Sequence, residues 1–295
     1  MRGNPEAHEL VAPPTLADVL VRLADAPGTW TPIAGGTELM VAHAAGRLTA
    51  HKLISLFGLS ELCFIRVDQE SISIGGGVTF GQIRRHPIIA SDFPLLATAA
   101  GWIGSIANQN RATLAGNIVN GSPAADAPPA LLVYDAEIEL ISRRGSRCIA
   151  YNDFHLGYKQ SVLEPDELVF ALHLPRRFAN HMQYLRKVGT RKAMAITKVA
   201  LAATAIIEGG LVTEIRLAAA SVADRPLRLA ATEAAIRDRT LSSHTMAAAR
   251  RTLLNEVRPI DDIRSTALYR RHVAANLLDE CLSELSRGLT GDLSA

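Results

Sequence analysis

Two short stretches hold the residues that could do chemistry in this chain. In Ile33-Ala34-Gly35-Gly36-Thr37-Glu38 a glycine pair sits between a strand-like run, TWTPI, and a helical pattern, TELMVAHAAG. Backbone N–H groups at such a junction lack intrahelical partners, the helix dipole favours negative charge, and glycine lets the main chain approach a ligand without a Cβ in the way. Those are the needs of a pyrophosphate, and an ordinary tight βα turn would use the same residues. The second stretch is NQNRATLAGNIVNGSPAADAPP, residues 108–129, where Thr113, Gly116, Asn117, Asn120, Ser122 and Asp126 bring hydroxyl, amide, carboxylate and bare backbone together. A polyol or a diphosphate would require that set. With neither strand alternation nor a helical apolar stripe, the stretch reads as a loop, its Asp126 placed to cap a short helix over DAPPALLVYDA. Surface turns and a ligand cradle fit its composition equally well. A third glycine run, Gly75-Gly76-Gly77-Val78-Thr79-Phe80-Gly81, has its last glycine one position late for a dinucleotide fingerprint and no long helix after it, so it reads as a turn.

Other chemistries find little support. Cys63, Cys148 and Cys281 are far apart in sequence, which offers no ligand spacing for zinc or an iron–sulfur cluster, and the nine histidines form no HExxH pair. Thirty-one basic and 29 acidic residues leave a net charge of +2 without a block of either sign, which argues against a nucleic-acid or lipid surface. The odd cysteine number, no signal peptide in MRGNPEAHEL and no apolar run near 20 residues point to a reducing cytoplasm.

The elements around these stretches fall into two regimes. With 295 residues, against roughly 150 for a typical single domain, two domains are expected. TLADVLVRLADA has apolar residues at 16, 19, 20 and 23 and Thr15 to cap it, a helix. LISLFG, CFIRV and SISIGGGV read as short strands, a helix spans about 93–105, and AEIELISR turns back at Arg143-Arg144-Gly145 into CIAY. Beyond Pro175, MQYLRKV, VALAATAIIEGG and LVTEIRLAAASVA are three strands, two of them joined through Glu208-Gly209-Gly210. Helices follow at 228–238, 242–257 and 264–288, the last with Leu268, His272, Ala275, Leu278 and Leu282 on one face. The fold expected is α+β, with a two-part α/β domain over 1–176 and a small antiparallel sheet with helices over 177–295. Only the extreme ends read as disordered.

Taken in order, AGGTEL, RATLAGNIVNGSPAADAPPALL, DELVFALHLP, KVGTRKAMAI and DDIRSTALYRRHV resemble the FAD-binding medium subunit of molybdenum hydroxylases, the xanthine dehydrogenase and carbon monoxide dehydrogenase family, over about residues 10–285. The resemblance implies a vanillyl-alcohol-oxidase-like FAD domain followed by a flavoprotein C-terminal domain. It places the FAD diphosphate on Ile33, Ala34, Gly35, Gly36, Thr37 and Glu38. Thr113, Ala115, Gly116 and Asn117 would close on it from the other half, and Ile118, Asn120, Ser122 and Asp126 would continue toward the flavin. Ile103, Gly104 and Asn108 would be further contacts, Leu168 and Val169 an apolar wall, and Lys187 a cation near the cofactor. It also implies a large molybdenum-cofactor subunit, a small [2Fe-2S] subunit, a dimer of heterotrimers, and NAD or another external acceptor. Two departures stand out: Ala115 where relatives have glycine, and Gln109 where they have a basic residue. An independent FAD oxidase would usually carry a histidine or cysteine for flavin attachment, absent from both glycine loops. A scaffold module would use both loops only as turns.

Overall fold

The computed structural model describes residues 4–191 and 193–291. The ends expected to lack structure, 1–3 and 292–295, and Lys192 within KVGTRKAMAI lie outside the described residues. The chain opens with β1 (Glu9–Val11), α1 (Leu16–Asp25), β2 (Thr31–Ile33), α2 (Leu39–Ala44) and β3 (Lys52–Ser55). The three strands form a parallel sheet with β3 in the middle. Thr15 caps α1 by accepting the N–H of Asp18, and Leu16, Val19, Leu20 and Leu23 turn its apolar stripe onto Trp30, Ile54, Leu59 and Leu62. By contrast α2 buries no residue, so packing does not explain its presence.

The next unit runs β4 (Ile65–Val67), β5 (Ser71–Gly75), α3 (Phe80–Arg85), α4 (Pro87–Asp92), α5 (Pro94–Trp102), α6 (Ile106–Gln109), α7 (Leu114–Val119), α8 (Pro128–Val133), β6 (Glu137–Ser142), β7 (Gly145–Ala150), β8 (His155–Gly157), β9 (Gln160–Ser161) and β10 (Leu168–Pro175). Its antiparallel sheet has the order β4-β5-β10-β6-β7. Along β6, Ile138 and Leu140 are buried while Glu137 and Glu139 are not, the period of two that a one-sided sheet demands. Phe80, Phe93, Tyr134, Phe154 and Phe178 fill the main core, each contributing about 2 kcal/mol by leaving water.

The last unit comprises β11 (Met182–Val188), β12 (Val199–Glu208), β13 (Leu211–Ala220), β14 (Leu227–Arg228), α9 (Ala230–Ile236), α10 (Ser243–Glu256) and α11 (Ala267–Gly291). Its strands are antiparallel in chain order, and the β12–β13 turn uses Gly209 and Gly210 at positive φ. On β12 the side chains alternate between two cores. Ala202 joins Ala218 in the main core, while Leu201, Ala203 and Ala205 pack under the helices. Alanine on the shared sheet lets the two halves approach closely, and this explains an apolar chain with few aromatics.

Three sequence expectations change. The apolar face of α11 is built by Ala274, Ala275, Leu277, Leu278, Cys281, Leu282 and Leu285, while Leu268 and His272 are exposed because the helix meets the sheet only beyond its first two turns. The stretch expected as one loop contains the last two residues of α6 and all of α7, which begins on the side-chain cap of Thr113. Asp126 does not cap α8: the N-cap is Ala127, which makes no side-chain bond, and the Asp126 carboxylate turns away to a lysine.

Candidate functional site

The site is assembled where the first glycine loop meets the second. β2 ends as Ile33 O accepts the N–H of Leu56 at 2.9 Å, and Ala34–Glu38 then bends into α2. Gly36 sits at φ +73°, a left-handed conformation that glycine adopts without strain. Gly35 is required for space: a Cβ there would lie 1.9 Å from Arg111 O and 3.0 Å from the Ala112 Cα. The two loops therefore touch backbone to backbone. Among the described residues, no protein acceptor takes the N–H groups of Gly35, Gly36 or Thr37, and Glu38 offers no side-chain cap. Three main-chain donors at a half-buried surface, next to a close loop contact, suit a diphosphate.

The second segment is built differently. α5 stops at Ile103, Gly104 turns at φ +45° against the Asn108 side chain, and Ser105 caps α6 by accepting the N–H of Asn108. The Asn108 carbonyl holds both Arg111 N–H and Ala112 N–H, at 3.0 and 2.7 Å. An antiparallel bridge joins Thr79 to Thr113, with Phe80 N–H donating to Ala112 O and Leu114 N–H to Val78 O. Thr113, buried, caps α7 through its hydroxyl, which accepts the N–H of Gly116 at 3.0 Å. Ala115 and Ile118 direct their side chains into the main core, so the added methyl at 115 is absorbed there and takes no space beside a ligand. Asn117 is the informative residue: its Oδ1 is buried without a hydrogen-bond partner. A buried unpaired amide oxygen is costly, and a polar ligand at this position would supply its partner.

Farther on, Asn120 ends α7 and Gly121, at φ +62°, packs on Lys159, whose N–H donates to Gly121 O at 3.3 Å. The Ser122 hydroxyl accepts the N–H of Ala124, and Pro123 O accepts the N–H of Ser221. Asp126 Oδ2 accepts from Lys187 Nζ at 2.8 Å, both side chains about 90% buried, and Oδ1 accepts from the Thr197 hydroxyl. Burial pushes the Asp126 carboxyl above its ordinary range, and Lys187 and Thr197 offset only part of that. Lys187 Nζ also lies 5.7 Å from the Trp102 ring centre, beside Ile103 and Gly104. Two residues expected in separate roles are thus one ion pair. Leu168 and Val169 begin β10 on opposite faces, Leu168 in the first core and Val169 in the main one.

Sequence reasoning missed Trp102, Thr197, Ser221 and Arg84. Thr197 directly follows KVGTRKAMAI, and that was its only signal. Gln109 is buried, donates to Gly101 O at 3.0 Å and accepts from Arg84 Nη1 at 3.2 Å, so a guanidinium from α3 reaches the position where a basic side chain is missing. Arg111 lies over the exposed Phe57 ring, 4.2 Å from its centre. Burial raises the thiols of Cys63, Cys148 and Cys281, which makes them poor nucleophiles. Among the described residues no group of histidine, cysteine and carboxylate side chains is placed to hold a metal ion, and no helix is long and apolar enough to cross a membrane.

Two glycine loops in backbone contact, with unspent main-chain donors and an orphaned amide oxygen, make a cradle suited to a polar, anionic ligand. The family model described as FAD binding domain in molybdopterin dehydrogenase matches residues 6–177, and that described as CO dehydrogenase flavoprotein C-terminal domain matches residues 184–285. A xanthine dehydrogenase FAD-binding subunit from Escherichia coli O157:H7 is 31% identical over 281 residues, 95% of this chain and 96% of that one. A nicotinate dehydrogenase FAD-subunit from Eubacterium barkeri is 29% identical, covering 96% and 97%. A solved carbon monoxide dehydrogenase from Hydrogenophaga pseudoflava matches with a TM-score of 0.89 and 26% identity, over 94% of this chain and 96% of that one. The chain belongs to the family of FAD-binding subunits of molybdopterin dehydrogenases, oxidoreductases of the xanthine and carbon monoxide dehydrogenase type.

Proposed function

We propose that this chain is the electron-transfer subunit of a cytoplasmic molybdenum hydroxylase, working with a large molybdenum-cofactor subunit and a small [2Fe-2S] subunit in a dimer of heterotrimers. Its FAD would receive electrons from the partner's clusters and deliver them to NAD or another acceptor. FAD, when bound, supplies the exchange between single electrons and a hydride pair. The observation that carries this reading is the close contact of Gly35 with Arg111, beside three unspent N–H groups and the orphaned Asn117 amide oxygen.

In this reading Ala34–Glu38 hold the diphosphate by main-chain donors, and Thr113–Asn117 close the other side, with Ile103, Gly104 and Asn108 beneath. Asn120, Ser122 and Asp126 line the way to the flavin, the main chain of β10 at Leu168 and Val169 backs it, and Lys187 brings a cation near it. The FAD domain occupies 1–176 and the C-terminal domain 177–295.

Purified full-length chain should be yellow and release about one FAD per chain on denaturation. Colourless protein that takes up no added FAD would end the proposal. Rapid mixing of the purified complex with NADH should bleach the flavin if NAD is the acceptor, and a flavin that stays oxidised would remove NAD from it.

A further inference from the structure

The Asp126–Lys187 pair is the end of a line of buried polar contacts that begins on α11. Arg270, 4% exposed, donates Nη1 to Ser221 O at 3.2 Å and Nη2 to Asp262 at 2.7 Å. Ser221 holds φ at +63°, a region that side chains beyond glycine and asparagine rarely adopt. That conformation lets its N–H reach Pro123 O at 2.8 Å while its hydroxyl donates to Thr197 O at 3.0 Å. Thr197, 1% exposed, donates its own hydroxyl to Asp126. Each member loses hydration on burial, and apolar contacts such as Ala202 and Ala218 with the main core already join the two halves. Adhesion alone does not account for the line.

We propose that Thr197, held in place by Ser221 and Arg270, is a positioning residue: it fixes the Asp126 carboxylate against Lys187 and so sets how much of the lysine's charge reaches the flavin. This rests on the FAD reading above. A cation near a flavin favours its electron-rich form, and a carboxylate fixed on that cation cancels much of the effect. Without the Thr197 hydroxyl the buried carboxylate keeps one partner of two and takes a proton more readily, which leaves the lysine uncompensated.

The test is a redox titration of FAD on the purified full chain. Thr197→Val, close to isosteric, should raise the flavin midpoint potential, with reduced FAD favoured about tenfold over oxidised, or about 30 mV for a two-electron couple. Thr197→Ser, which restores the hydroxyl, should return it to the wild-type value. Introducing Lys187→Met together with Thr197→Val should abolish the shift, since the mechanism acts through the lysine. Stoichiometric FAD at an unchanged potential in Thr197→Val, or a shift that survives loss of the lysine, overturns the inference and leaves the FAD reading intact. Wild-type chain that binds no FAD sinks that reading instead. Should Thr197→Val not fold, Asp126→Asn takes its place: an upward shift supports the inference and an unchanged potential overturns it.

Discussion

Ala34–Glu38 commits no side chain to a core and leaves N–H groups unspent, whereas Thr113–Asp126 is tied down through the side chains of Thr113, Ser122 and Asp126 and leaves the Asn117 amide oxygen unpartnered. The first loop can stay bare because its position is enforced from outside, by the Arg111 backbone pressed against Gly35. The second must hold its own shape, and it does so with a threonine cap, a bridge to Thr79 and an ion pair to another sheet. One half of the clamp is thus specified by what is missing from its side chains. The other half is specified by what its side chains touch.

The largest effect expected from breaking this contrast is at Gly35. Gly35→Val places carbon inside the Arg111 carbonyl, so the loops must separate, with a cost of about 3 kcal/mol and loss of bound FAD. FAD-to-protein ratio and melting temperature check it, and a mutant with full flavin content would show that the contact is dispensable. Asp126→Ala strips Lys187 of its partner and should cost about 2 kcal/mol in urea unfolding, below the usual figure for a fully buried pair because some solvent reaches it. A loss that vanishes when Lys187→Met is added would assign the effect to the stranded charge.

The brace under the second segment is open to a pH test. His155 is buried on the hairpin that packs on Gly121; burial, aided by Arg225, lowers its pKa to about 4. The unfolded chain binds the proton from about pH 6.5 downward and the folded one only near 4, so this contribution is whole above 6.5 and is lost as pH falls through 4. Between pH 7 and pH 5 the wild type should lose about 1.5 kcal/mol more than His155→Gln, measured by denaturant midpoint. Equal losses in the two proteins would remove His155 from the account. The smallest effect is expected for Thr113→Ala, about 1 kcal/mol from the lost α7 cap, with Thr113→Ser close to wild type in melting temperature.

Most elements are readable from the chain because their signals are local. Thr15 with the stripe at 16, 19, 20 and 23, the β6–β7 turn at Arg143-Arg144-Gly145 and the paired glycines after Glu208 all depend on neighbours in sequence. The failures come from distant partners. Residues 114–119 are too few, and sit in too polar a stretch, to read as a helix until Val78, Thr79 and the main core are brought to them. Asp126 has the spacing of a cap, yet Lys187 and Thr197, sixty or more positions away, take both of its oxygens. On α11 periodicity alone does not say where the sheet begins, so it places Leu268 and His272 in a face that starts later. At Gln109 the missing positive charge arrives from Arg84 on another helix, which spacing within one motif cannot reveal.

The contact of Gly35 with Arg111 also orders events during synthesis. The first loop leaves the ribosome long before the residues that press on it, and the carbonyl that sets its position belongs to a unit whose sheet closes only when β10 inserts between β5 and β6. A pairing of such sequence separation forms late, after the entropy of the intervening chain has been overcome. The nascent chain should therefore be unable to trap its cofactor until at least residue 175 has emerged, which makes cofactor loading a late step of folding.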